Sequence, residues 1–124
     1  MKVMLVDDSS TMRRIQGKVL AQLGFDTVIE AGDGQEGFEV LSKNSDVKFM
    51  LLDINMPKMN GIELLKKIRA TPELKDVKVI MCSSEAEKNT IVDVLKAGAN
   101  NYIVKPFTPD VLKSKLKDLK LLPE

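Results

Sequence analysis

The sequence of 124 residues contains no histidine, no tryptophan and a single cysteine. One cysteine cannot form a disulfide within the chain. Cys82 lies in the apolar run VKVIMC, where a small buried hydrophobe is a more typical role than redox chemistry or metal binding. Without histidine or an accessible cysteine, the chain lacks the ligands that zinc and copper prefer. A metal site in this protein would therefore have to be built from oxygen atoms.

A charge excess of one sign and a long hydrophobic run are also missing. Lys and Arg number 19 against 18 Asp and Glu, so the charge gives no indication of nucleic acid or an acidic membrane as a partner. The first apolar run, KVMLV, is too short for a signal peptide or a membrane span and ends in two acids. We therefore expect a cytoplasmic protein. Its 44% apolar and 30% charged residues are typical of one globular domain over residues 1–124.

Short apolar runs rich in Val, Ile and Leu alternate with segments of helical spacing. The predicted strands are residues 2–6, 27–31, 48–52, 78–82 and 101–104. The first predicted helix follows a cap at Ser9 or Ser10, and the others cover 35–41, 62–68, 86–95 and 109–119. Strands without polar alternation, separated by helices, indicate a parallel sheet covered on both faces. The sequence thus predicts a doubly wound α/β domain with the carboxyl ends of all strands at one edge.

Polar side chains follow most of these strands at that edge. They are Asp7 and Asp8, then Asp53, then Ser83 and Ser84, and finally Lys105 and Pro106. Each one alone has a simpler interpretation as a helix cap or a solvated loop residue. That simpler interpretation does not explain all of them together, because clustered carboxylates destabilise a fold unless a cation lies between them. That cation would be either Lys105 or a metal.

Carboxylate and carbonyl oxygens favour magnesium, with manganese as the alternative. Magnesium keeps positions open for phosphate oxygens, so the cluster predicts phosphoryl chemistry. In this hypothesis Asp53 attacks phosphorus and forms an aspartyl-phosphate, while Lys105 and the metal neutralise charge on the phosphoryl oxygens. The Ser83 hydroxyl would bind one of those oxygens.

Four stretches of the sequence carry a resemblance to a known family. MLVDDSSTMRRI, LLDINMPKMNG, the CSS that ends the fourth strand, and NNYIVKPF resemble the signature blocks of the receiver domain of two-component response regulators. The resemblance extends from residue 2 to about residue 119, and it is strongest to the single-domain chemotaxis regulators. It implies a flavodoxin-like (βα)5 fold with strand order 2-1-3-4-5 and no output domain.

The resemblance also implies a role for each site residue. Asp53 matches the phosphoacceptor, and Asp7 and Asp8 match the acidic pair that holds magnesium, with the backbone carbonyl of Asn55 as a further ligand. Lys105 matches the lysine that pairs with the phosphoryl group.

A second group of positions matches the switch and its tuning. Ser83 matches the switch hydroxyl, chosen over Ser84 by the count back from Lys105, and Tyr102 matches the aromatic residue that turns inward behind it. The side chains of Asn55 and Glu85 match positions that tune the lifetime of the acyl phosphate. The bond before Pro106 should be cis, as in the family.

For partners, the resemblance implies a histidine kinase of the chemotaxis type and a target that binds the face formed by helix 4, strand 5 and helix 5. The target would be the flagellar motor switch, and a phosphatase is a further possible partner. The lysines of the last predicted helix fit such a face, although a solvated surface explains them equally well. We expect a monomeric signalling switch that catalyses only its own phosphotransfer and dephosphorylation, not an enzyme with an external substrate.

Three other functions share features with this pattern. A hydrolase of the haloacid dehalogenase type uses a DxDxT motif, but its second Asp is replaced here by Asn55. A receiver-like module used only for protein contacts typically loses an acid or the lysine, whereas this sequence keeps them all. A phosphorelay intermediate would have the same site and stays open as an alternative within the family.

Overall fold

The computed structural model describes residues 2–56, 58–84, 91–105 and 107–122. Its strands are β1 (Lys2–Val6), β2 (Thr27–Ala31), β3 (Phe49–Asp53), β4 (Lys78–Ser84) and β5 (Asn101–Lys105). Its helices are α1 (Ser10–Gln22), α2 (Gly34–Ser42), α3 (Gly61–Ala70), α4 (Ile91–Lys96) and α5 (Pro109–Asp118). The predicted alternation of strand and helix is confirmed, although part of the predicted fourth helix falls on residues 85–90, which lie outside the described residues.

The strands form one parallel sheet in the order β2-β1-β3-β4-β5, which confirms the predicted topology. The chain first moves outward from β1 to β2 and then returns past β1 to β3, so the direction of winding reverses between β1 and β3. In such a sheet, ligands bind at the carboxyl ends of the strands beside this reversal. The ends of β1 and β3 carry Asp7, Asp8 and Asp53.

Two apolar layers enclose the sheet. One layer packs α2, α3 and α4 through residues such as Leu41, Leu64 and Val94. The other packs α1 and α5 through residues such as Leu20 and Leu116. Every residue of β3 is buried because this strand lies in the middle of the sheet under both layers. Cys82 is buried too, as predicted, and burial raises the pKa of its thiol.

The ends of the elements are set by local hydrogen bonds. Ser9, not Ser10, caps α1, because its Oγ accepts a bond from the Met12 amide at 3.1 Å. At the start of α3, Asn60 and Glu63 form a reciprocal capping box. Gly24, which follows α1, has a φ of 98°, in the left-handed region that glycine adopts without strain.

Strands β3, β4 and β5 extend one or two residues beyond their predicted carboxyl ends. Several site residues that were predicted to follow a strand therefore belong to it. Asp53 and Lys105 are the last residues of β3 and β5, and Ser83 and Ser84 lie inside β4. The reason is that strand pairing continues to these positions, with Asp53 opposite Cys82 and Ser84 opposite Lys105. The polar side chains are therefore held by a rigid sheet instead of a loop. Within the described part of the chain, no helix is both long enough and apolar enough to cross a membrane.

Candidate phosphoryl-acceptor site

Three carboxylates converge at the carboxyl edge of the sheet. Asp7 and Asp8 follow β1, and Asp53 ends β3, the strand that pairs with β1. Each offers one oxygen, and these oxygens all lie within 4.8 Å of one another. Asp7 and Asp53 are buried, whereas Asp8 is exposed and lies on the solvent side of the cluster. The cluster thus meets solvent at Asp8.

Lys105 provides a positive charge inside this cluster. Its Nζ lies 2.9 Å from Oδ1 of Asp53 and 3.3 Å from Oδ2 of Asp7. The side chain of Lys105 is 16% exposed, so water screens these ion pairs only weakly. The sequence left open whether a lysine or a metal would lie between the acids, and Lys105 does contact two of them.

The environment shifts the ionisation of both partners. Burial raises the pKa of the Asp53 carboxyl from its ordinary value of 3.8 to about 6, against the opposing hydrogen bond and charge of Lys105. Burial also acts to lower the pKa of Lys105, but its hydrogen bond to Asp53 and the charges of Asp53 and Asp7 outweigh it, so that pKa is raised. Lys105 therefore stays protonated, and Asp53 is ionised at neutral pH.

Ser83 lies beside this cluster on β4, the strand between β3 and β5. It is 1% exposed, and its Oγ makes no hydrogen bond within the described residues. A buried hydroxyl without a partner costs free energy, which a new acceptor would recover. Ser84, the other candidate from the sequence, is only partly buried.

The remaining predicted residues lie around the site. Asn55 is exposed in the loop after β3, two residues beyond Asp53. Tyr102 lies on β5, one strand away from Ser83, and is half-buried. Glu85 and Pro106 fall outside the described residues, so the prediction of a cis peptide bond before Pro106 stays untested.

The sequence did not reveal how closely Gly61 approaches the site. The amide of Gly61 donates a 2.8 Å hydrogen bond to the carbonyl of Ile54. A Cβ at Gly61 would lie 2.1 Å from the backbone oxygen of Asp53, so only glycine fits. The signal in the sequence was the Asn-Gly pair after the third strand, which reads as an ordinary turn until the tertiary contact is known.

The role of Arg13 is also not visible in the sequence. This α1 residue donates from Nη1 to the backbone carbonyl of Asp7 and from Nε to Glu30 Oε1 at 2.9 Å. It ties α1 and β2 to the loop that carries the first two acids. Nothing in the motif MRRI distinguishes Arg13 from its exposed neighbour Arg14.

The donor set suits a hard divalent cation. Three carboxylates offer oxygen ligands, and Lys105 neutralises at most one of their charges. Magnesium prefers oxygen ligands from carboxylates, backbone carbonyls, water and phosphates, so the residues present fit this ion. Chemically, the site combines an ionised carboxylate, an ammonium, an unpartnered hydroxyl and ligands for a cation, which suits it to the transfer of a phosphoryl group.

The sequence and structure have clear relatives. The sequence profile of the response regulator receiver domain matches residues 3–117. The chain is 55% identical to the chemotaxis protein CheY homolog of Campylobacter jejuni over 119 residues, which are 96% of this chain and 92% of that protein. It is 52% identical to the chemotaxis protein CheY1 of Helicobacter pylori over 117 residues, 94% of each chain. Chemotaxis protein CheY4 of Vibrio cholerae has a similar structure, with a TM-score of 0.84 at 31% identity over 94% of this chain and 96% of that one.

Proposed function

This chain belongs to the response regulator receiver domain family and is a phospho-receiver switch like the chemotaxis regulators, and we propose that Asp53 accepts the phosphoryl group. The observation that carries this proposal is the contact of one ammonium, that of Lys105, with both Asp53 and Asp7 inside a cluster of three carboxylates. Asp53 ends a buried strand, which fixes the direction of its carboxylate.

In the transfer step, an Asp53 carboxylate oxygen forms a bond to phosphorus as the bond from phosphorus to the donor breaks. The donor is a phosphohistidine, or acetyl phosphate in vitro, and its histidine or acetate leaves with the electron pair of the broken bond. Asp53 must be ionised to act as the nucleophile, and a pKa of about 6 meets that requirement at neutral pH. Lys105 then has negative phosphoryl oxygens to pair with in place of the Asp53 carboxylate.

We assign the cation ligands to the carboxylates of Asp7, Asp8 and Asp53 and to the backbone carbonyl of Asn55. Bound there, magnesium would neutralise negative charge on the phosphoryl oxygens. Asp7 is already oriented without it, because its Oδ1 accepts a 2.9 Å hydrogen bond from the Ser9 amide. That hydrogen bond holds the acid beside the start of α1.

The switch follows from contacts that exist only in the phosphorylated state. The acyl phosphate adds strong acceptor oxygens, and the unpartnered hydroxyl of Ser83 moves to bind one of them. This movement makes room for the ring of Tyr102 to turn inward. Phosphorylation thereby shifts an existing equilibrium by its differential contacts.

The surface around Tyr102 is the proposed target face. We assign to it the exposed Val92 and Leu95 of α4 and the exposed Val111, Lys113 and Lys117 of α5. Exposed apolar side chains mixed with charges of both signs suit an amphipathic protein partner. Because its relatives are chemotaxis proteins, we propose a chemotaxis histidine kinase as the donor, the flagellar motor switch as the target, and regulation by a phosphatase.

We also propose that residues 1–124 act as one receiver domain and that the protein is monomeric. The support for the single domain is that the receiver profile matches residues 3–117. Its catalysis would be limited to its own phosphotransfer and dephosphorylation.

The test is the intact mass after incubation with magnesium and acetyl phosphate. We expect a gain of one phosphoryl group that is lost in Asp53→Asn and in a chelator control. Glu39→Gln, which removes an exposed carboxylate on α2, is the matched control and should be phosphorylated like the parent. A gain that persists in Asp53→Asn would move the acceptor elsewhere. If the protein neither gains a phosphoryl group nor binds beryllofluoride, the result would instead indicate a module used only for protein contacts.

A further inference from the structure

The last strand and the last helix meet in a contact between a cation and an aromatic ring. Lys115 Nζ of α5 lies 4.6 Å from the centroid of the Tyr102 ring on β5. Both residues are half-buried. Within the described residues, Lys115 has neither an ion pair nor a hydrogen bond, so the ring is its specific partner there.

This contact connects the two layers of the fold. Tyr102 packs against the apolar layer that contains Val94 of α4. Helix α5 buries Leu112 and Leu116 in the opposite layer. Because β5 is an edge strand, Lys115 reaches around the edge of the sheet to the ring. A change in the orientation of the ring must therefore break or rebuild a contact with α5.

We propose that Lys115 is a positioning residue for Tyr102, whose ammonium favours the ring orientation of the structure over the inward one. The inference rests on the proposed function, in which the ring turns inward when Ser83 moves toward a phosphoryl group. The face of an aromatic ring is electrostatically negative and attracts a cation. A contact present in only one of two states shifts the equilibrium between them. A cation over an aromatic ring at a partly exposed site corresponds to about a two- to fivefold change in that equilibrium.

The chain supplies its own reporter for this equilibrium. Tyr102 is the only tyrosine, and there is no tryptophan. A tyrosine label with ¹³C in the ring therefore gives NMR signals from Tyr102 alone. The signals report the surroundings of the ring, which differ between its two orientations, and they do not depend on phosphorylation activity.

Helix α5 also supplies a matched control. Lys117 is exposed and does not contact the Tyr102 ring. Lys115→Met and Lys117→Met remove the same charge from the same helix. Lys115→Arg keeps a cation that can lie over the ring and serves as the conservative variant.

The experiment compares the labelled proteins, each with residues 1–124 and magnesium, before and during titration with beryllofluoride as the phosphoryl mimic. In Lys115→Met we expect the resting ring signals to move toward their beryllofluoride position, with the inward population raised about two- to fivefold. Lys115→Arg should resemble the parent. Lys117→Met should resemble it as well, because the effect depends on the ring contact and not on the net charge of α5.

Identical ring signals in Lys115→Met and Lys117→Met, before and after beryllofluoride, would overturn the proposal. So would a ring in the parent that does not respond to beryllofluoride although the protein gains a phosphoryl group from acetyl phosphate. In that case the receiver chemistry stands and only the role of Lys115 is lost. A parent that neither gains a phosphoryl group nor responds to beryllofluoride would overturn the proposed function together with this inference.

Discussion

Lys105 Nζ lies 2.9 Å from Oδ1 of Asp53, although β4 separates the strands that end in these two residues. The lysine spans the intervening strand and also comes within 3.3 Å of Asp7 on the far side of Asp53. The long side chain of lysine makes this reach possible. A single cation thus connects the carboxyl ends of three strands, and it opposes the effect of burial on the pKa of Asp53.

The raised pKa of Asp53 predicts that this residue destabilises the metal-free protein at neutral pH. Its pKa is 3.8 ordinarily and about 6 in the folded chain, so the folded state binds the proton more tightly than the unfolded state. Stability is then greatest below pH 4 for this group and falls as the pH rises through 6. In chelator at pH 8, Asp53→Asn should raise the free energy of unfolding by about 1–3 kcal/mol.

Urea unfolding from pH 4 to pH 8 measures this effect. The advantage of Asp53→Asn should shrink as the pH falls from 6 to 4, while Glu39→Gln, on an exposed part of α2, should not show this trend. An equal stability of the parent and Asp53→Asn at pH 8 would contradict the prediction.

A methyl group at Gly61 should disturb the site, because a Cβ there would lie 2.1 Å from the Asp53 carbonyl oxygen. Gly61→Ala should lower the free energy of unfolding by about 1–3 kcal/mol and slow phosphorylation by acetyl phosphate. Gly17→Ala on α1 is the matched control, since nothing lies within 4 Å of its Cβ position. That variant should gain about 0.5–1 kcal/mol and be phosphorylated normally. Similar unfolding curves for the two variants would contradict the close approach of Gly61.

Arg69 should be essential for stability at the opposite edge of the sheet. Its guanidinium donates to the carbonyls of Gly98, Lys75 and Val77 at 2.7–2.9 Å and to Asn100 Oδ1 at 2.9 Å. Arg69→Ala removes the donor from the three carbonyls, whereas Asn100 Oδ1 still accepts a hydrogen bond from the Val79 amide at 2.8 Å. We expect a loss of about 2–4 kcal/mol in urea unfolding.

Two further variants distinguish the effect of the Arg69 hydrogen bonds from the effect of its charge. Arg69→Lys should recover only part of the loss, because an ammonium cannot reproduce the planar set of donors. Arg14→Ala removes an exposed arginine of α1 and should stay within about 0.5 kcal/mol of the parent. A loss of similar size in Arg14→Ala and Arg69→Ala would show that charge, not the hydrogen bonds, is responsible.

Removal of the Ser83 hydroxyl should block the switch without lowering the stability of the fold. This Oγ is buried without a hydrogen bond in the described residues, so Ser83→Ala should leave the free energy of unfolding unchanged or raise it by up to about 1 kcal/mol. The variant should still gain a phosphoryl group but lose the response of the Tyr102 ring to beryllofluoride. Ser9→Ala provides the contrast: it removes the cap of α1 and should cost about 1 kcal/mol. A Tyr102 response that persists in Ser83→Ala would exclude the hydroxyl from the switch.

The side chain of Asn55 should affect how long the phosphate lasts. It is exposed two residues beyond Asp53, where it can contact a water molecule that approaches the acyl phosphate, whereas its backbone carbonyl is the proposed cation ligand. Asn55→Ala should therefore be phosphorylated yet change the rate at which the phosphoryl group is lost, as followed by intact mass after removal of acetyl phosphate. The same outcome is expected for Glu85→Ala. Equal rates in both variants and the parent would contradict this role.

Much of the site could be predicted because strand ends are visible in a sequence. The runs that end at Asp7, Asp53 and Lys105 are apolar up to their last residues, and a parallel sheet brings such ends to one edge. The predicted carboxyl ends of the strands differ from the observed ones by one or two residues. Ser83, for example, lies within β4 and not after it. This difference arose because pairing with β5 extends the strand beyond its apolar residues.

By itself, the sequence determined the alternation of strands and helices, the parallel sheet and the acids at its edge, because these depend on local periodicity and on residue type. Only the tertiary structure decided that Lys105 reaches across β4, that Gly61 packs against Asp53, and that Lys115 lies over the Tyr102 ring. These contacts join positions far apart in the chain. Their geometry depends on how whole layers pack and which rotamers that packing allows, and no local pattern in the sequence records it.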